Sequence, residues 1–351
     1  MAIDPAKFQE LANKMVGDMG VAFGAALVLV GDRLGLYRSL AANGPATPDE
    51  LASRTHTFER YVREWLAAQA AAGYISCDAA AHRYFMTEEQ ALVFANDESP
   101  LFAPGAFEVA AAMVRDEPKI TEAFRSGNGV GWGEHDVCLF RGTERFFRPS
   151  YAANLISSWI PALDGVAAKL ERGASVADVG CGHGASTMLM AKAYPKSQFT
   201  GFDFHQPSID RATELAREAG LADRVRFAKA TAKDFPGTYD LVGCFDCLHD
   251  MGDPVGAAAH VLSTLKPDGI WMIVEPFASD ETAQNLNPVG RMFYSASTMI
   301  CTPASRAQEV GLALGTQAGP KRLGEVVKAG GFTRFRVATQ TPFNLVLEAR
   351  P

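Results

Sequence analysis

Asp178-Val-Gly-Cys-Gly-His-Gly184 gathers in one short run the features that bring a backbone against a bulky ligand. Glycines at 180 and 182 put no side chain into the space such a ligand needs. The spacing is G-x-G-x-G, one residue short of the dinucleotide fingerprint G-x-G-x-x-G, and an acid precedes the first glycine by two. A tight strand-to-helix turn can produce a glycine run without any ligand, so the loop needs support from elsewhere in the chain. Asp203 supplies it: it ends the next strand, where a carboxylate accepts hydrogen bonds from both hydroxyls of a ribose. Thr231-Ala-Lys-Asp234, after a third strand, lies at the edge where an adenine ring would rest.

The elements that must hold these residues begin at Ala174, where strand and helix start to alternate. Strands are expected at 175–179, 198–203, 225–229, 240–245, 269–275, 333–339 and 344–349, with helices at 185–193, 206–219 and 255–265 between the first five. The last two strands are close enough to form a hairpin. The expected fold class is α/β, a Rossmann-like doubly wound sheet with a terminal antiparallel hairpin over residues 166–351.

Residues 1–100 read differently, as a mainly helical winged-helix domain. Thr47-Pro-Asp-Glu50 is a capping box with proline at the first helical position, and Thr57 is expected to cap a second helix. Phe58, Tyr61, Val62, Trp65 and Leu66 form one apolar face of that helix, which Gly73 ends. Tyr74-Ile-Ser-Cys77 and Arg83-Tyr-Phe-Met86 then read as a hairpin. Through Ala95 there are eight basic against eleven acidic side chains, and Arg60 and Arg63 each sit beside a glutamate, so nucleic acid is not an expected partner. A dimerisation role is expected instead. Residues 101–165 read as a helical connector with a loop at 127–133. Its aromatics Phe140, Phe146, Phe147, Tyr151 and Trp159 suit either a core or one wall of an apolar pocket.

The 351 residues are 48% hydrophobic and carry a net charge of −7, which gives no general attraction to phosphate backbones or anionic lipid. The apolar run 21–30 is about half of what a membrane span needs and reads as a buried helix. No basic segment precedes it, and a cytoplasmic protein off the membrane is expected. Six cysteines are too few for a disulfide framework, and Cys244-x-x-Cys247 lacks the second pair of a structural zinc site.

The order and spacing from about residue 145 onward resemble the class I S-adenosylmethionine-dependent methyltransferases. The resemblance rests on the glycine loop, the acid ending strand two, Tyr239-Asp-Leu-Val, Leu265-Lys-Pro-Asp-Gly-Ile270 and Ala329-Gly-Gly-Phe332. It implies S-adenosylmethionine as cofactor, with Asp178, Gly180 and Gly182 at its methionine part and Asp203 at the ribose. Phe204, Ala232 and Lys233 would meet the adenine, and Phe245 would line the cofactor at the end of strand four. Many members have Asp where this chain has Thr231. With its winged-helix front, the whole chain resembles the small-molecule O-methyltransferases of the caffeic acid O-methyltransferase type and their bacterial relatives. In that family the Leu-His-Asp segment after strand four supplies the base, which implies His249 as catalytic residue and Glu275 as the acid flanking it. A second flanking acid is missing from Gln317-Ala-Gly-Pro-Lys321.

An imidazole can take the proton of a phenol or enol near neutral pH. The expected acceptor is thus a small molecule methylated on a hydroxyl or enol oxygen, and the expected assembly a homodimer. Met292, Phe293, Tyr294 and Met299 lie where relatives insert a lid and suggest an apolar acceptor. A metal would be another use for His249 and Asp250, but it needs a third ligand, and His260 falls in a helix away from the site, so none is expected. The rival to an enzyme is a transcriptional regulator that senses S-adenosylmethionine and binds DNA through the front domain; a dehydrogenase is the third option.

Overall fold

The computed structural model describes residues 3–351; residues 1 and 2 of the expected front domain lie outside the described residues. The chain forms two compact units, Met1–Ala111 with Arg141–Pro149, and Ala112–Phe140 with Ser150–Pro351. The span 101–165 is therefore shared between them.

In the first unit, Asp4 caps helix Pro5–Arg33 by accepting from the Ala6 amide at 3.0 Å, and Pro5 needs no partner at the first position. Helices Leu36–Asn43, Pro48–Thr55 and Glu59–Ala71 follow, then strands β1 (Ser76–Asp78) and β2 (Arg83–Phe85) and helix Glu88–Phe94. The capping box at Thr47 and Glu50 makes both of its reciprocal bonds. Tyr37, Leu40, Leu51, Val62, Trp65, Leu66 and Ile75 form the core.

Three expectations change here. Thr57 does not cap the next helix: its hydroxyl is 2.9 Å from that of Thr55, and Phe58 stands at the cap without a side-chain bond. The hairpin starts at Ser76 because the Tyr74 and Ile75 amides close the preceding helix on the Gln69 carbonyl and are no longer available to a strand partner. The run 21–30 is part of a 29-residue helix that is long and apolar enough, by length and composition, to cross a membrane. Within it Val28 and Leu29 are buried, but Val21 and Phe23 are 59% and 79% exposed.

The second unit is built on seven strands in the order β5-β4-β3-β6-β7-β9-β8. These are β3 (Ser175–Val179), β4 (Gln198–Asp203), β5 (Val225–Lys229), β6 (Tyr239–Phe245), β7 (Leu265–Pro276), β8 (Arg334–Gln340) and β9 (Asn344–Arg350). The first five run parallel and β9 enters antiparallel between β7 and β8. Runs such as Val176–Ala177 and Leu241–Val242 are apolar on both faces because helices cover both sides of a parallel sheet. Strand β7 is longer than expected because Leu265 pairs with Tyr239 before a register shift to Ile270 opposite Leu241. The chain leaves β3 for β4 on one side and later returns to β6 on the other, which opens a crevice at the carboxyl ends of these strands.

Candidate active site

The glycine loop leaves β3 at that crevice, and its glycines serve different purposes. At Gly180 (φ 74°) a Cβ would stand 2.7 Å from Cys247 Sγ. Gly182 (φ 52°) has nothing within 4 Å of where a Cβ would be, which leaves its surface open to a ligand. Asp178 is buried. Its Oδ2 accepts from the hydroxyls of Ser186 (2.6 Å) and Thr187 (2.5 Å) at the start of helix Ala185–Ala193, while Oδ1 has no partner. Burial raises its pKa to about 6, the two hydroxyls opposing that rise. Asp203, the last residue of β4, accepts from the Gly182 amide at 2.9 Å and the His205 amide at 2.8 Å, and burial raises its pKa as well.

The remaining residues expected at a cofactor surround this loop in different ways. Phe204 follows Asp203 and is 46% exposed. Ala232 and Lys233 lie in a turn closed by Asp234, which accepts from the Thr231 amide at 2.6 Å and hydroxyl at 2.8 Å; Thr231 keeps its turn by bonding the aspartate three residues on. The Lys233 ammonium is held by Glu309 (2.8 Å) and Asp253 (3.2 Å), so only its stem and backbone are left for a ring to meet. Phe245 is buried at the end of β6, its ring 5.7 Å from that of Tyr151.

Beyond Phe245 the chain turns sharply. Asp246 adopts φ 51°, a conformation rarely taken by a residue with a side chain, and is held there by the Tyr151 hydroxyl at 2.7 Å and the Asn344 side-chain Nδ2 at 3.2 Å, both donating to its carboxylate. Its carboxyl is pushed up to about 7, chiefly by burial. The single turn Leu248–Asp250 then presents His249. Glu275, near the end of β7, binds that turn twice: Oε1 accepts from the Leu248 amide at 3.0 Å and Oε2 lies 2.5 Å from His249 Nδ1. Both side chains are buried. Asp250 Oδ1 stands 3.3 Å from His249 Nε2, so the second carboxylate at this ring comes from the adjacent residue, not from the segment before the last helix. Burial would lower the imidazole's pKa, but Glu275 and Asp250 outweigh it and raise it well above the ordinary value.

Two groups here were not legible in the sequence. Cys301, from the π-helical turn Ser297–Cys301, brings a donor atom within 4.8 Å of those of His249 and Asp250; burial raises its thiol to about 12. His135 is buried with Nδ1 2.9 Å from Asp116, and its Nε2 has no partner. Asp116 is itself fixed by Lys119 at 2.8 Å and the Asp136 amide at 2.9 Å. His135 is near enough for its charge to help lower the Asp250 carboxyl, against the larger effect of burial. No motif marks either residue, because each is defined only by what it folds against. His260 instead binds the Phe235 carbonyl at 2.8 Å, and His205 bonds Ser208 and stacks on Phe140.

Residues 170–331 match a family model described as a methyltransferase domain. The chain carries a methyltransferase domain. Residues 22–96, ahead of it, match an Rv2258c-like winged HTH domain. The curated relatives are similar over part of the chain only. An uncharacterized protein of Synechococcus is 34% identical over 101 residues, 28% of this chain and 24% of that one. The ubiquinone biosynthesis O-methyltransferase of Methylococcus capsulatus is 36% identical over 99 residues, 28% of this chain and 41% of that one. The chain thus spans less than half of the length of these relatives. The fold is shared over nearly the whole length with mitomycin 7-O-methyltransferase (TM-score 0.70, 20% identity, 99% of this chain and 100% of that one). Human N-acetylserotonin methyltransferase, solved in complex with SAM, matches at TM-score 0.71 and 16% identity over 97% of both chains.

Proposed function

We propose that this protein transfers the methyl group of S-adenosylmethionine to a hydroxyl or enol oxygen of a small, largely apolar molecule. The observation that carries the reading is the sharing of one sheet edge by an open glycine loop with its two acids and a buried histidine clamped by a carboxylate. The residues fit the cofactor. Asp178 Oδ1 lacks a partner, Gly182 faces open space, and the buried carboxyls of Asp178 and Asp203 flank the glycine loop, where a cationic ligand would offset their burial. When bound, the cofactor supplies a cationic sulfonium and its transferable methyl.

The chain's own residues then align and deprotonate the acceptor. Glu275 holds Nδ1 of His249 and fixes the turn through Leu248 with its second oxygen; the imidazolium that Glu275 and Asp250 favour releases its Nε2 proton as the cationic cofactor binds, and Nε2 then takes the hydroxyl proton. His249 is the catalytic residue of this reading and Glu275 its positioning partner. Asp178, Gly180, Gly182, Asp203, Phe204, Ala232, Lys233 and Phe245 would contact the cofactor.

The front domain is read as a dimerisation module. Helix Pro5–Arg33 exposes Phe8, Leu11, Met15, Val16, Met19 and Phe23, which a second copy would cover. DNA binding is disfavoured because Arg60 and Arg63 each pair with a glutamate one turn away at 2.6 Å. Six free cysteines suit a reducing, cytoplasmic setting. The test is thermal: S-adenosylhomocysteine should raise the Tm and NAD should not, and the reverse result sinks the reading. A library of phenols and enols, screened for release of S-adenosylhomocysteine, then identifies the acceptor.

A further inference from the structure

Beside the outer nitrogen of His249 the fold assembles a donor set that proton transfer alone does not require. His249 and Asp250 come from the turn after β6 and Cys301 from a segment some fifty residues on, yet one donor atom from each lies within 4.8 Å of the others. Donors around a tetrahedral zinc-like ion stand roughly 3.5 Å apart, as bonds of about 2.0–2.3 Å require. Small rotations of these side chains would close that gap.

Three further features point to an ion. Asp250 Oδ1 makes no well-formed hydrogen bond, and its neighbour is another of the candidate ligands, His249 Nε2 at 3.3 Å, close to the spacing two donors keep around one ion. His249 commits Nδ1 to Glu275, the arrangement that turns Nε2 and its lone pair toward a metal. Cys301 ends a π-helical turn, a distortion that costs helix geometry and recurs where side chains are aimed at a site.

We propose that His249, Asp250 and Cys301 bind one divalent transition-metal ion of the zinc or cobalt(II) class, with a fourth position open to the acceptor's oxygen. Mixed nitrogen, oxygen and sulfur donors select that class over magnesium or calcium. The open position rests on the function proposed above, whereas ion binding stands without it. An ion held here would occupy the lone pair that otherwise takes the acceptor's proton, and as a Lewis acid it would lower the pKa of a hydroxyl it binds, whose proton would then pass to solvent water. His249 therefore acts either as ligand or as base in a given molecule.

Cobalt(II) titrated under nitrogen into the chelator-treated full chain tests this. One equivalent should bind with the visible bands of a tetrahedral cobalt site and a near-ultraviolet thiolate-to-cobalt band, and zinc should bleach both. Cys301→Ser should abolish the thiolate band, and His249→Ala should weaken binding by roughly tenfold or more. Failure to take up cobalt, or a spectrum that Cys301→Ser leaves unchanged, overturns the proposal. Should Cys301→Ser fail to fold, Asp250→Asn is the second variant; unaltered cobalt affinity and spectrum there also overturn it. Failure of the base reading shows separately, as turnover that survives in His249→Ala.

Discussion

Along the carboxyl edge of the sheet, the loop after β3 draws its buried acid, its hydroxyl partners and its glycines from residues 178–187. The centre beside β6 combines Tyr151, Asp246, His249, Glu275, Cys301 and Asn344, six positions spread over nearly two hundred residues. The first region depends on local backbone geometry and the second on long-range packing. They should therefore fail differently under mutation.

The largest effect is expected at the point where they touch. Gly180→Ala forces a side chain into φ 74° and against Cys247 Sγ at 2.7 Å. Strain of about 1–3 kcal/mol, with displacement of the turn that carries His249, should remove both S-adenosylhomocysteine binding and turnover, read by calorimetry and product release. A variant that keeps either would separate the two regions more completely than the contact suggests.

His249→Ala should divide them cleanly: turnover falls by roughly tenfold or more while cofactor affinity stays within about twofold. Asp203→Asn does the opposite, weakening S-adenosylhomocysteine by roughly ten- to a hundredfold through loss of a charged acceptor and leaving the His249–Glu275 pair intact. Parallel losses in both variants would mean that the edge behaves as one unit.

Protons give a subtler separation. The folded-state pKa values of Asp178 and Asp246, about 6 and about 7, lie above those of an exposed aspartate, so the native chain binds more protons than the unfolded chain between about pH 4 and 7. The contribution of these two carboxyls to the stability of the cofactor-free protein is therefore greatest at the acid end of that window and falls as pH rises through it. Urea unfolding at several pH values should show this slope, and Asp178→Asn should flatten the part nearer pH 6. The smallest effect is expected from Lys233→Ala. Its ammonium is exposed and already paired with Glu309 and Asp253, so cofactor affinity should change by no more than about twofold.

The sequence was most legible where structure is local. The glycine loop, the acid ending β4, and strands β3, β4 and β5 follow from alternation, apolar runs and turn chemistry within a few residues. It was least legible where a neighbour outside the window decides. Tyr74 looks like a strand residue, but its amide closes a helix on the Gln69 carbonyl; even within the window a competing partner misleads, as where Thr57 looks like a cap but its hydroxyl meets that of Thr55 two residues before. The run 21–30 reads as buried from composition, whereas exposure depends on what the rest of the fold places against it, and little covers Phe23.

By its own pattern the sequence determined a doubly wound sheet with a glycine loop at the end of its first parallel strand, because hydrophobic period, glycine placement and strand order are properties of short stretches. Only the tertiary structure decided what surrounds His249. A carboxylate from β7, a thiol from a π-helical turn and the Asp116-backed His135 have no fixed spacing in the chain, and side chains meet across such separations only once the sheet and its helices have packed.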